Sequence, residues 1–81
     1  MLYARFKYPE NGYDADKEYA KSIPLKINER YAVEGVFMGQ SNTSITLTGI
    51  PGSFNSVQFE FETPNGNPID IFKSKKYNPY L

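Results

Sequence analysis

SITLTGIPGSFNSVQFEFE, residues 44–62, is the stretch on which the reading of the fold turns. Ile45 and Leu47 alternate with Ser44, Thr46 and Thr48, and Val57, Phe59 and Phe61 alternate with Ser56, Gln58, Glu60 and Glu62. Strict period-two alternation gives each run one apolar and one wet face, the pattern of a half-buried strand. Between the runs, Ile50-Pro51-Gly52-Ser53 reads as a type II turn, with Pro presetting the second position and Gly supplying a positive φ. The expectation is a single β-hairpin over Ser44–Glu62.

The flanking sequence adds short strands to this hairpin. Upstream, Leu2, Ala4, Phe6 and Tyr8 alternate with Tyr3, Arg5 and Lys7, up to Pro9 and the turn dipeptide Asn11-Gly12. Leu25 and Ile27 alternate before a turn at Asn28-Glu29, and Tyr31 and Val33 then lead into Gly35, where a bulge or bend is expected before Val36 and Met38 carry the apolar face onward. Residues 39–43, GQSNT, read as a polar loop. Downstream, residues 63–67, TPNGN, form a turn, and Ile69 and Ile71 make a last short strand that opens with Pro68 at an edge position. Residues 73–81, KSKKYNPYL, have no period, but Tyr77, Tyr80 and Leu81 predict a tail packed back on the core. Only residues 13–23 have helical chemistry: Asp14 as cap, Asp16 and Glu18 near the positive end of the dipole, Lys21 near the negative end, and Tyr19 and Ile23 one turn apart. Together these predict a single, mostly β domain spanning residues 1–81, a partly open barrel of about five strands with a short helix or ordered loop near residues 13–23.

Composition excludes more than it assigns. At 81 residues the chain holds one domain, and its seven Tyr and six Phe supply the large apolar surface that so small a core needs. There is no Cys and no His, which removes disulfides, thiolate chemistry and the usual general base near neutral pH. Neither an enzyme nor a cofactor is expected. Nine basic residues balance nine acidic ones, which is not the signature of a nucleic-acid binder, although residues 31–62 carry no Lys or Arg while Lys73, Lys75 and Lys76 cluster near the end. No run approaches the ~20 apolar residues of a membrane span, so the expectation is a cytoplasmic protein with no membrane association.

Leu25-x5-Tyr31-x-Val33, Asn42-Thr43-Ser44, Phe54-Asn55-Ser56-Val57-x-Phe59-Glu60, Pro68-Ile69-Asp70-Ile71 and the ending Asn78-Pro79-Tyr80 form a pattern from Leu25 onward. It resembles small, uncharacterised Src-homology-3-like β-barrel proteins of bacteria and their phages. The resemblance implies that fold and a phage or prophage origin, and it implies no activity.

The chemistry-bearing candidates are few. Asp14, Asp16 and Glu18 have the spacing that opens a calcium loop, but its sixth position falls on Tyr19 and its twelfth on Leu25, so a solvated first helical turn is expected. Glu60 and Glu62 share a wet strand face without a partner for acid–base work. The amide- and hydroxyl-rich runs at residues 40–44 and 53–56 either bond to local backbone, with Phe54 capping the core, or form a polar binding surface with Phe54 as an exposed anchor. The reading carried forward is a protein-binding module that uses Asn42, Thr43, Phe54, Asn55, Tyr13 and Tyr31. Two alternatives stand beside it. One is weak nucleic-acid binding through Lys73, Lys75, Lys76 and Tyr77, limited to about three phosphates. The other is a self-associating structural component pairing exposed strand edges.

Overall fold

The computed structural model describes all of residues 1–81. Six antiparallel strands form an open sheet, β1 (Tyr3–Phe6), β2 (Arg30–Met38), β3 (Thr43–Leu47), β4 (Ile50–Asn55), β5 (Phe59–Glu62) and β6 (Pro68–Ile69), in the spatial order β4-β3-β2-β1-β5-β6. The helix α1 spans Asp14–Ser22, and two 3-10 turns occupy Ser56–Gln58 and Ile71–Lys73.

The expected single hairpin over residues 44–62 divides into three pieces. Leu47 pairs with Ile50 across the tight turn Thr48-Gly49, where Gly49 takes φ +78°, so the chain reverses three residues earlier than Pro51-Gly52 suggests. Pro51 and Gly52 lie instead within β4, an edge strand that spares Pro a ladder donor. The pairing then slips, since Ile45 meets Phe54, and this gap accommodates the two extra residues on the β4 side. After Asn55 the 3-10 turn carries the chain away from β3, and β5 pairs with β1 through Phe59 opposite Phe6 and Phe61 opposite Ala4. Val57, which continues the alternation of Phe59 and Phe61, therefore faces solvent.

Other expectations hold with shifted boundaries. The pairing of β2 with β3 slips between Val33 and Gly35, the bulge that Gly35 predicts. Residues 25–29 form a loop rather than a strand: Leu25 is buried, Ile27 is exposed, and Asn28 takes φ +69°. The turn over residues 63–67 closes through the Thr63 carbonyl, which accepts from Gly66 N–H at 2.9 Å, and Thr63 N–H, which donates to the Asn67 carbonyl at 2.8 Å. Ile71 belongs to the second 3-10 turn rather than to β6, yet it is buried.

Leu2, Ala4, Phe6, Ile45, Leu47, Phe54, Phe59, Phe61 and Ile71 form the core, with Ala20 and Leu25 closing it from the helix side. Phe54 lies 5.2 Å from the Tyr19 ring and 6.2 Å from that of Phe59, centre to centre. The Tyr19 hydroxyl donates to the Pro51 carbonyl, and a Cβ at Gly52, which has φ +85°, would collide with it. Helix docking thus sets the residue allowed in β4. In the tail, Tyr77 packs against the core as expected, whereas Tyr80 and Leu81 are exposed. No helix is long and apolar enough to cross a membrane.

Candidate functional site

At one end of the sheet, four segments enclose a cleft of about 910 Å³: Asn11–Tyr13 ahead of α1, Met38 at the end of β2 with the loop 39–42 that follows it, Asn55–Val57 from the end of β4, and the tail residues Phe72, Asn78 and Tyr80. Three asparagines hold these segments in place. The Asn11 side-chain N–H donates to the Val57 carbonyl at 3.0 Å. Asn55 donates to Asp16 Oδ2 at 3.0 Å and accepts from Val57 N–H at 3.2 Å. Asn78 donates to the Phe72 carbonyl at 2.7 Å and accepts from Tyr80 N–H at 2.9 Å.

Asp16 ties the helix to this arrangement. Its Oδ2 also accepts from Tyr13 N–H at 2.8 Å, so Tyr13 is the N-cap residue, one position before the expected Asp14, and the Asp16 carboxylate satisfies an orphan donor of the first turn. With that oxygen committed twice, Asp16 serves the first helical turn that the spacing of Asp14, Asp16 and Glu18 predicts. No group of three His, Cys, Asp or Glu side chains is arranged to hold a metal ion.

The remaining polar groups of the cleft are unspent. Gln40, Ser41 and Asn42 make no side-chain hydrogen bond within the chain, their loop being closed by Gly39 N–H donating to the Asn42 carbonyl at 2.8 Å. Tyr13 and Tyr80 are 65% and 61% exposed, and Val57 and Phe72 are exposed beside them. No carboxylate, ammonium or guanidinium lines the cleft.

Four of the residues singled out by sequence therefore gather here: Tyr13, Asn42, Asn55 and Thr43, the last at the start of β3 rather than in the loop. Two do not. Phe54 is only 2% exposed and sits in the core beneath Tyr19, so it is no surface anchor. Tyr31 uses its hydroxyl to accept from Lys26 N–H at 2.9 Å, which fixes the loop before β2, away from the cleft. Lys73, Lys75 and Lys76 are exposed without an acidic partner, but Tyr77 packs on the core with Lys76 Nζ 5.5 Å over its ring. Sequence reasoning missed Val57, Phe72 and Tyr80 as a group. Asp70 offered the signal for Phe72, since its carboxylate accepts from Phe72 N–H at 3.0 Å and starts the turn that exposes that ring.

A second cleft of similar volume adjoins the first at Ser56, Val57 and Phe72 and runs along β5 and β6. Its electrostatics differ. Glu62, whose side chain is 12% exposed, accepts from Arg5 Nη2 at 2.9 Å and pairs with Arg30. Arg30 also lies 4.2 Å over the Tyr3 ring and donates to the carbonyls of Thr63 and Pro64, both at 3.1 Å. Burial pushes the Glu62 carboxyl up, but the hydrogen bonds and charges of the two arginines outweigh it and hold the group below the usual carboxylate range. Glu60, its neighbour on the same face, accepts from the Tyr8 hydroxyl. That hydrogen bond, with burial and the Glu60 charge added, raises the Tyr8 phenol above its ordinary value.

No solved structure matches the chain. An uncharacterized 11.2 kDa protein from the segB–ipI intergenic region of Enterobacteria phage T4 is 38% identical over 80 residues, covering 91% of this chain and 83% of that protein. The family described as Bacteriophage T4 protein Y07B matches residues 1–81 from end to end. This chain, with its open six-stranded sheet and polar, aromatic cleft, belongs to that phage protein family.

Proposed function

We propose that the protein is a non-enzymatic binding module of a phage, working in the host cytoplasm, that holds a protein partner at the cleft between Tyr13, Asn42 and Tyr80. The observation that carries this reading is the make-up of the cleft. Exposed apolar and aromatic side chains, Tyr13, Val57, Phe72 and Tyr80, surround amides and a hydroxyl that no group of the chain uses. Aromatic rings supply large contact area at low entropic cost, and amides and hydroxyls adapt to a partner's backbone. No acidic or basic side chain lines the cleft, which fits a binding surface better than a site for proton transfer.

The fold reading that accompanies it is a Src-homology-3-like barrel. Its support is the meander β2-β3-β4, the 3-10 turn that follows, the return of β5 to pair with β1, and a bulged β2 shared by both halves of the sheet.

The test is capture from nuclease-treated lysate of infected cells on the immobilised protein, run beside a Tyr13→Ala/Asn42→Ala variant. A protein retained by the wild type and lost by the variant is the expected result. Equal retention by both would remove the cleft from the account. The nucleic-acid alternative is less favoured because the aromatic of its cluster, Tyr77, packs partly on the core and the chain carries no net positive charge. Oligonucleotide retention that falls with salt and with Lys73, Lys75 and Lys76 changed to Ala would revive it.

A further inference from the structure

We infer that the partner segment seated in this cleft is uncharged along the length of the cleft and is held through its backbone amides and one ring or aliphatic side chain. The inference rests on the reading of the cleft as a protein-binding site and adds the chemistry of what enters it. It follows from how the polar groups divide. Asn11, Asn55 and Asn78 each spend a side-chain N–H on building the walls. Gln40, Ser41 and Asn42 have spent none, and neither have the hydroxyls of Tyr13 and Tyr80.

These unspent groups are neutral donors and acceptors, the complement of peptide N–H and C=O. No charged side chain lines the cleft, and the carboxylate that borders it, Asp16, already accepts from Asn55 and from Tyr13 N–H, so a side-chain charge seated among these groups would lose water and gain no direct counter-ion. Rings at Tyr13, Tyr80 and Phe72 favour an apolar side chain of the partner instead. Charge becomes tolerable only where the segment leaves across Val57 and Phe72, because the adjoining cleft carries Lys7, Glu60 and Asp70 without ion-pair partners. A neutral sugar is the competing occupant. Its vicinal hydroxyls would find only amide and hydroxyl acceptors and no lining carboxylate, and the peptide is favoured for that reason.

Selection from a random peptide library on the folded protein tests this, followed by titration of an enriched synthetic peptide into isotope-labelled protein. Enriched sequences should lack Asp, Glu, Lys and Arg over their central positions and should shift the amides of residues 11–13 and 39–43. A Lys or Glu placed in the centre should weaken binding by at least about tenfold. A Gln40→Ala/Asn42→Ala variant should fold as the wild type does, because those side chains make no internal bond, and should lose the peptide. Peptides that bind the same residues through an obligatory central charge would overturn the inference and leave the protein-binding reading intact. Peptides that shift residues outside the cleft, or no enrichment at all, would overturn both. Maltohexaose shifting these amides where no peptide does would replace the peptide with a sugar.

Discussion

The two clefts that meet at Val57 and Phe72 use their polar groups in opposite ways. Around Glu62 the charges are spent inside the fold: two arginines converge on one carboxylate, and their remaining donors hold the Asn28 carbonyl and the Thr63–Pro64 turn. Around Asn42 the amides and hydroxyls point at nothing in the chain. The paired charge around Glu62 supports the sheet, whereas the neutral polar groups around Asn42 are left without partners in the chain, which is the basis for proposing recognition there. Stability and binding should therefore separate by region under mutation.

The largest effect is expected where neither cleft is touched. Phe54→Ala should cost roughly 3–5 kcal/mol, because the ring is buried between Tyr19 and Phe59. Urea denaturation followed by circular dichroism reads it, and a loss well under that range would return Phe54 to the surface. Gly52→Ala should cost roughly 1–3 kcal/mol, since the new Cβ meets the Tyr19 hydroxyl and the φ of +85° is strained for Ala. A Tyr19→Phe background, which removes the hydroxyl that is met first, should recover part of that loss.

On the charged side, Glu62→Gln should cost about 1–2 kcal/mol near neutral pH, moderated by the partial exposure of both arginines. The cost should depend on pH in one direction. Because the folded carboxyl is held below its ordinary range, the native state binds fewer protons than the unfolded chain between the two values. Its contribution is thus complete above the ordinary carboxylate range and is lost as pH falls through the folded value. Wild type and Glu62→Gln should converge in midpoint on acidification, and a constant gap would show that the arginines do not stabilise the ionised form. The smallest effect belongs to the neutral side: Asn42→Ala should leave stability within about 0.5 kcal/mol of wild type. A larger loss would mean that Asn42 holds the fold together and is not reserved for a partner.

Legibility from sequence follows the range of the interactions. The helix at 14–22, the bulge at Gly35, the turn over 63–67 and Pro68 at an edge were all readable, because each rests on neighbours within a few residues. The hairpin over 44–62 was not. Alternation fixes which face a residue takes and says nothing about which strand lies beside it. Ile45 and Phe61 share a period yet belong to strands on opposite sides of β2 and β1. Pro51-Gly52 carried the stronger turn signal, but Thr48-Gly49 makes the turn, and the glycine at 52 answers to Tyr19, a residue 33 positions away in sequence.

The site divides in the same way. Tyr13, Asn42, Thr43 and Asn55 were found as polar and aromatic residues in runs that a barrel could bring to one end. Phe54, flanked by Ser53 and Asn55, reads alike whether buried or exposed, and only its contacts with Tyr19 and Phe59 settle the matter. Phe72 and Tyr80 enter the cleft through a 3-10 turn and a tail held by Asn78, an arrangement that no periodicity announces.

The most direct test of the claim that the Asn42 cleft is the recognition surface is hydrogen exchange of the protein alone and bound to a captured partner. Protection should rise at residues 11–13 and 39–43 and stay unchanged across the strands that carry Arg5, Arg30 and Glu62. Protection confined to those strands, with the cleft segments exchanging as before, would contradict the account.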